Sequence, residues 1–358
     1  MQQHRFPAGL MSTFALALLF SACSAPREEA KSTPTPAAAA SPSPSPIIPE
    51  TKIVRKDPRF DKLVPADAKV EKLAEGHIWT EGPVWNRKEN YLLFSDIPNN
   101  SIFKWQEGKG ESLFLKPAGY SGQEPFTGRE PGTNGLTYDS QGRLVACAHG
   151  DRRVTRIEGT NQTTLADRFN GKRLNSPNDL AYKSNGDLYF TDPPYGLPKG
   201  MDDPGREQEF CGVYRLGKDG KLTLLTKEIT RPNGIAFSPD EKKLYVACSD
   251  PDKAIWMAYD VKPDGTLGAG KVLFDATAWA KEKRPGLPDG LKVDKDGNLF
   301  ATGPGGVHVF APDGTLLGTF DTGVPTANVA FGDDGSTLYI TANTALLRVK
   351  LTTKGMGF

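Results

Sequence analysis

The chain has 358 residues, enough for one large domain or two, with 38 Gly, 29 Pro and a formal net charge of +1 at neutral pH. Apolar stretches of helical period are few, which argues against a helical bundle and for an all-β domain rich in tight turns. No basic stripe with interleaved aromatics occurs, which argues against nucleic acid as a partner and against charge-driven attachment to a membrane.

The first residues read as a targeting segment. His4 and Arg5 form a short polar region, residues 14–20 an apolar run too short to span a bilayer, and Phe20-Ser21-Ala22-Cys23 places small residues ahead of a cysteine. This resembles a bacterial lipobox. Residues 1–22 are then a lipoprotein signal peptide and Cys23 the lipidated first residue of the mature chain, held to the cell membrane by its acyl chains. The location is the periplasmic face or the outer membrane, and Ser24 in place of Asp after the cysteine favours the latter. A plain secretory peptide cleaved near Ala22 is the alternative. Residues 23–52 are dominated by Ala, Ser, Pro and Thr, which bury too little apolar surface to order themselves and form an extended tether. The folded domain is expected over 53–358. With Cys23 set aside, Cys147, Cys211 and Cys248 allow one disulfide at most. Cys147 and Cys248 each follow Val-Ala in strand-like runs and read as buried free thiols.

Self-similarity then decides the fold. Six copies of one pattern run from residue 81 to 351: a short strand, a tight turn, a second apolar strand and outer strands. The first strands open at EGPVW (81–85), NGLTY (134–138), NDLAY (178–182), NGIAF (233–237), DGLKV (289–293) and ANVAF (327–331). Turn signals such as Ser184-Asn185-Gly186 and Asp294-Lys295-Asp296-Gly297 separate first from second strands, with Gly or Asn able to adopt positive φ. A period of about 40 to 55 residues with several strands per unit is the mark of propeller blades. The sixth copy lacks a fourth strand, whereas residues 70–74 (VEKLA) precede the first copy unassigned. The expectation is a six-bladed β-propeller, all-β, in which this N-terminal strand closes the last blade.

In a blade the innermost strand lines the central channel, so the residue that opens it sits at the channel mouth. Those residues are Glu81, Asn134, Asn178, Asn233, Asp289 and Ala327, five of six with side-chain oxygens. Each alone is an ordinary turn residue; together they converge on one axis. Two carboxylates with amide carbonyls, and no recurring His or Cys, suit a hard cation: Ca2+ first, then Mg2+ or Mn2+, with Zn2+ preferring nitrogen or sulfur. The second strand returns to the same face and adds Asp96, His149, Asp192 and Ser249 as a second tier, with His77 on the approach. Insertions at 119–133 and 193–211 supply walls or lids on that face.

Together with residues 79–85 (WTEGPVW), the motifs HGDRRV (149–154), NSPND (175–179), YFTDPPYG (189–196), PNG (232–234) and LPDG (287–290) resemble the gluconolactonase family that includes regucalcin. The resemblance implies a six-bladed propeller with a divalent metal in its channel and Glu81, Asn233 and Asp289 as principal ligands. Asn178 matches a fourth polar residue that approaches metal or substrate. Regucalcin holds sugar hydroxyls with an Arg two residues before that Asn; here the position is Ser176, and Arg152, Arg173 and Arg206 are the substitutes considered. The expected activity is metal-dependent opening of a gluconolactone-like lactone to a hydroxy acid. Asp289 is the residue that accepts a proton from attacking water, and Asn134, Asn178, His149, Asp192 and Arg152 contact the substrate, in a monomer. Two other readings stay open: a phosphotriesterase-type hydrolase, as in the related diisopropylfluorophosphatase, and a propeller that binds sugar or metal without turnover.

Overall fold

The structure is a computed structural model that describes residues 49–357; the expected signal segment, Cys23 and nearly all of the tether lie outside the described residues. Six antiparallel sheets form the blades of a β-propeller. Their innermost strands are Thr80–Asn86, Thr133–Tyr138, Leu180–Tyr182, Pro232–Phe237, Leu291–Val293 and Thr326–Gly332. These pack side by side in chain order, the sixth against the first, and so enclose the channel.

Ring closure follows the expectation. Val70–Glu75 pairs antiparallel with Ala345–Lys350, with Val70 opposite Val349 and Glu75 opposite Ala345, so strands from both ends of the domain share one blade. Blade five carries one strand more than the repeat implies: Lys52–Arg55 pairs with Leu316–Asp321. Its four residues have no fully buried member, so no apolar alternation marks it in the sequence. Between these two N-terminal strands a 3-10 turn, Pro58–Lys62, buries Phe60 against Phe320 at a ring separation of 5.8 Å.

Second strands are sandwiched between neighbouring blades and lose the alternation of a half-exposed strand. Every residue of Tyr91–Asp96, Leu144–Ala148, Leu188–Asp192, Leu299–Gly303 and Thr337–Ala342 is buried. A fully buried Phe94 or Phe190 there contributes on the order of 2–3 kcal/mol by area removed from water. Outer strands such as Gly110–Leu115 are mostly exposed. Cys147, Cys211 and Cys248 are free and buried, in agreement with the free-thiol reading.

Candidate active site

The residues that open the inner strands are aimed by a repeated irregularity of the ladder. In blades one, two, four and six the pairing of first with second strand shifts register after Glu81, Thr133, Pro232 and Thr326. A bulge bends the strand and re-aims the side chain beside it, here at the channel mouth. In blades three and five the ladder begins only at Leu180 and Leu291, leaving Asn178 and Asp289 ahead of it.

Close approach of neighbouring strands explains the glycine that follows most of these residues. A Cβ on Gly82 would lie 1.9 Å from the Asn134 carbonyl oxygen, and one on Gly234 would lie 2.2 Å from that of Asp289. Hydroxyls from the second strands latch each blade to the next: Ser95 Oγ donates to Asn134 O (2.9 Å), Thr191 Oγ1 to Asn233 O (2.7 Å), Ser249 Oγ to Pro288 O (2.5 Å) and Thr302 Oγ1 to Ala327 O (2.9 Å).

Where the glycine is replaced, a side chain enters the channel. Asp179 and Asn328 do so in blades three and six. Asn328 Nδ2 donates to Glu81 Oε2 at 3.2 Å, and Lys292 Nζ lies 3.8 Å from Asp179 Oδ2. Sequence reading passed over this lower tier, although the loss of Gly in just those copies was its signal.

A cavity of about 400 Å³ opens at the mouth, lined by Glu81, Asn134, Asn178, Asn233 and Asp289 from the strand openings and by Trp79, Ser249, Gly286, Leu287, Pro325 and Thr326 around them. The insertion 119–133 adds Glu130, the insertion 193–211 adds Tyr195, and the approach to blade four adds Arg231. The expected walls are thus present. Their individual side chains were not anticipated, because no repeat places a residue within an insertion. The other end of the channel holds a cavity of about 360 Å³ lined by Trp85, Tyr138, Tyr182, Phe331 and Lys292, with no carboxylate.

The amides form a relay. Asn134 Nδ2 donates to Asn178 Oδ1 (2.8 Å), Asn178 Nδ2 to Asn233 Oδ1 (2.6 Å) and Asn233 Nδ2 to Ser249 Oγ (2.8 Å). His149, fully buried, places Nε2 3.2 Å from Asn178 Oδ1 and Nδ1 2.9 Å from Glu130 Oε2. Glu81 accepts from Gly82 N (2.7 Å) and from Asn328, both on Oε2. Among the described residues, Asp289 Oδ1 and Asn134 Oδ1 are buried without a hydrogen-bond partner. Burial raises the pKa of Glu81 and of Asp289 above the ordinary carboxylate range, weakening both acids, and the neighbouring carboxylates, Asp179 for Glu81 and Glu81 for Asp289, push the same way. Among the described residues no three His, Cys, Asp or Glu side chains gather as a metal cluster. The donor set is two carboxylates with neutral amides.

Three expected substrate contacts, His149, Asp192 and Arg152, do not line the cavity. Asp192 is fully buried, accepts from Asn175 N at 2.8 Å through Oδ2, and does not line the cavity. Burial, opposed by backbone N–H groups of Asn175 and Ser176, pushes its carboxyl up to about 7. Arg152 donates from Nε to Leu174 O and Asn175 O, each at 2.9 Å, and from Nη1 to Gly205 O. Both side chains therefore frame the loop that presents Asn178. The reason is local: buried carbonyls of that loop need donors, and Arg152 supplies them. His77 is likewise held between Asp96 (3.2 Å) and Glu111 (2.8 Å) within blade one.

Comparison with known proteins agrees with this geometry. Residues 79–344 match the family model described as SMP-30/Gluconolactonase/LRE-like region. The chain is 40% identical to the gluconolactonase of Zymomonas mobilis over 313 residues, 85% of this chain and 87% of that one. It is 28% identical to a pentonolactonase of Haloferax volcanii, covering 73% of this chain and 80% of the relative. The solved gluconolactonase of Xanthomonas campestris superposes with a TM-score of 0.73 at 31% identity, covering 87% of this chain and 99% of that structure. From its blades, its channel residues and these matches, the chain belongs to the SMP-30/gluconolactonase/LRE-like family.

Proposed function

We propose that this protein is a hydrolase that opens a sugar lactone to its hydroxy acid, with a divalent cation, Ca2+ by preference, held by Glu81, Asn233 and Asp289 and approached by Asn178. The observation that carries the reading is the pair of recessed carboxylates on one open cavity, with Asp289 Oδ1 lacking any hydrogen bond. Buried carboxyls whose ionisation is resisted by burial and by neighbouring carboxylates are relieved by a cation, and an all-oxygen set suits a hard one. The names of the lactonase relatives support the substrate class.

When bound, such a cation supplies Lewis acidity, polarising the lactone carbonyl and the attacking water. The chain's own groups do the rest. Asp289 takes the proton from water through its unpartnered oxygen. Asn328 and Gly82 N fix Glu81, and the relay from Asn134 to Ser249 fixes the amides, so the donors keep their places as charge develops. Purified protein assayed with glucono-δ-lactone, with and without chelator, tests the reading. Loss of activity on chelation and recovery with Ca2+ is the expected result; hydrolysis of a phosphotriester alone would overturn it.

The lipobox-like stretch at Phe20-Ser21-Ala22-Cys23 supports export and lipid attachment through Cys23. Mass spectrometry of the mature N-terminus, expected to show a diacylated or triacylated cysteine, tests this.

A further inference from the structure

The cavity wall has three acidic side chains, Glu81, Glu130 and Asp289, and one cationic side chain, Arg231. A lactone ring rich in hydroxyls needs donors as well as acceptors, and the acid produced by opening it carries a negative charge into this acidic surrounding. The position from which a regucalcin-like arginine would donate is closed. Ser176 Oγ donates to Pro193 O at 2.6 Å and accepts from Gly196 N at 2.9 Å, in a pocket where a Cβ on Gly196 would lie 2.8 Å from Ser176 Cβ.

The other arginines near this face do not line the cavity and donate to carbonyls outside it: Arg152 to Leu174, Asn175 and Gly205, Arg173 to Asp151, and Arg206 to Met201. Arg231 differs. Among the described residues its guanidinium has no hydrogen bond and no carboxylate at ion-pair distance, although it lines the cavity. Its backbone is pinned, because Arg231 O accepts from Ser249 N at 2.9 Å and Pro232 follows at the start of the inner strand. Nearby, Tyr195 lines the same wall, with its hydroxyl buried beside Ser249. A cationic donor, Arg231, therefore lines the same cavity as Asp289 and Asn134, whose Oδ1 atoms have no hydrogen-bond partner among the described residues, the mixture a polyhydroxylated ring satisfies and an aliphatic one leaves unpaired.

We propose that Arg231 makes this site select polyhydroxylated lactones, its guanidinium donating to ring hydroxyls of the substrate and to the carboxylate of the opened product. The inference rests on the lactonase reading above and deepens it. Arginine suits the role because its fork of N–H groups binds adjacent oxygens or a carboxylate in two-point fashion.

The test compares wild type, R231Q and R231K with glucono-δ-lactone and with unsubstituted δ-valerolactone, after melting curves establish that each variant is folded. The ratio of kcat/KM for the two lactones is expected to fall about tenfold or more in R231Q, chiefly through KM for the sugar lactone, with R231K intermediate. Equal loss on both substrates, or no change in the ratio, overturns the proposal. Calorimetric titration with gluconate gives a second readout independent of turnover: binding at least about tenfold weaker in R231Q is expected. Equal affinity in wild type and R231Q, or no gluconate binding by the wild type, overturns it. Should the wild type open no lactone, the functional reading fails by itself while the titration still decides the role of Arg231.

Discussion

Glu130, on the cavity wall, and His149, fully buried behind it, approach to 2.9 Å between Glu130 Oε2 and His149 Nδ1, although one comes from an insertion and the other follows the second strand of blade two. The far side of the imidazole, Nε2, is 3.2 Å from Asn178 Oδ1. The imidazole thus lies between the insertion and the amide relay, hydrogen-bonded to the relay through Nε2 and in close contact, without a hydrogen bond, with Glu130. His149→Leu is expected to release Asn178 and to weaken Ca2+ binding about tenfold or more, as removal of an outer partner of a ligand does. Calorimetric titration with Ca2+ checks this, and unchanged affinity would assign His149 to loop packing alone.

Asp289 combines a place among the candidate ligands with a buried carboxylate oxygen, Oδ1, that has no hydrogen-bond partner among the described residues. Asp289→Asn preserves shape and removes both charge and basicity. Its kcat on glucono-δ-lactone is expected to fall by about a thousandfold or more, with the melting temperature unchanged or raised in the metal-free protein. Retention of wild-type turnover would remove Asp289 from the chemistry.

The metal-free protein is expected to lose stability as pH rises above the carboxylate range. Burial first, then repulsion from neighbouring carboxylates, raises the pKa of Glu81 and of Asp289, so the folded state holds more protons than the unfolded one above the ordinary carboxylate range. Stability from this pair therefore falls as pH rises through that window. Added Ca2+ is expected to raise the melting temperature more at pH 8 than at pH 5, measured by differential scanning fluorimetry.

His77 has the opposite sign. Burial lowers its basicity, but the carboxylates of Asp96 and Glu111 outweigh burial and raise its pKa from 6.5 to about 9. Its contribution is complete below about 6.5 and is lost as pH rises through about 9. His77→Gln is expected to cost roughly 2 kcal/mol at pH 6, an order-of-magnitude figure, and far less at pH 10. Urea unfolding at the two pH values measures the difference.

The hydroxyl latches make a stability prediction separate from catalysis. Thr302, fully buried, donates to Ala327 O at 2.9 Å and lies 3.0 Å from Gly290 O. Thr302→Val keeps the volume and leaves those carbonyls without the donor, at a cost of about 1–3 kcal/mol. The accompanying drop in melting temperature should leave KM for the lactone near its wild-type value.

Much of this protein is written locally. Alternating strands and turn residues recur at a fixed period, and hydrogen-bond ladders turn that period into blades. The number of blades, the closing strand at Val70–Glu75, and the ring of Glu81, Asn134, Asn178, Asn233 and Asp289 on one cavity were therefore legible from residue order. The strand Lys52–Arg55 was not, since four residues without a buried member carry no pattern.

Tertiary structure alone decided how residues outside the ladder are used. Arg152 and Arg231 both lie near the same face, yet one is drawn onto buried loop carbonyls and the other is left on the cavity wall. Asp192 supports the loop of Asn178, whereas Glu130 and Tyr195 reach the cavity from long insertions. A ladder sets the direction of its own side chains through a period of two residues. A loop side chain instead goes wherever distant unsatisfied partners and free volume draw it, and those are fixed only when the six blades have closed.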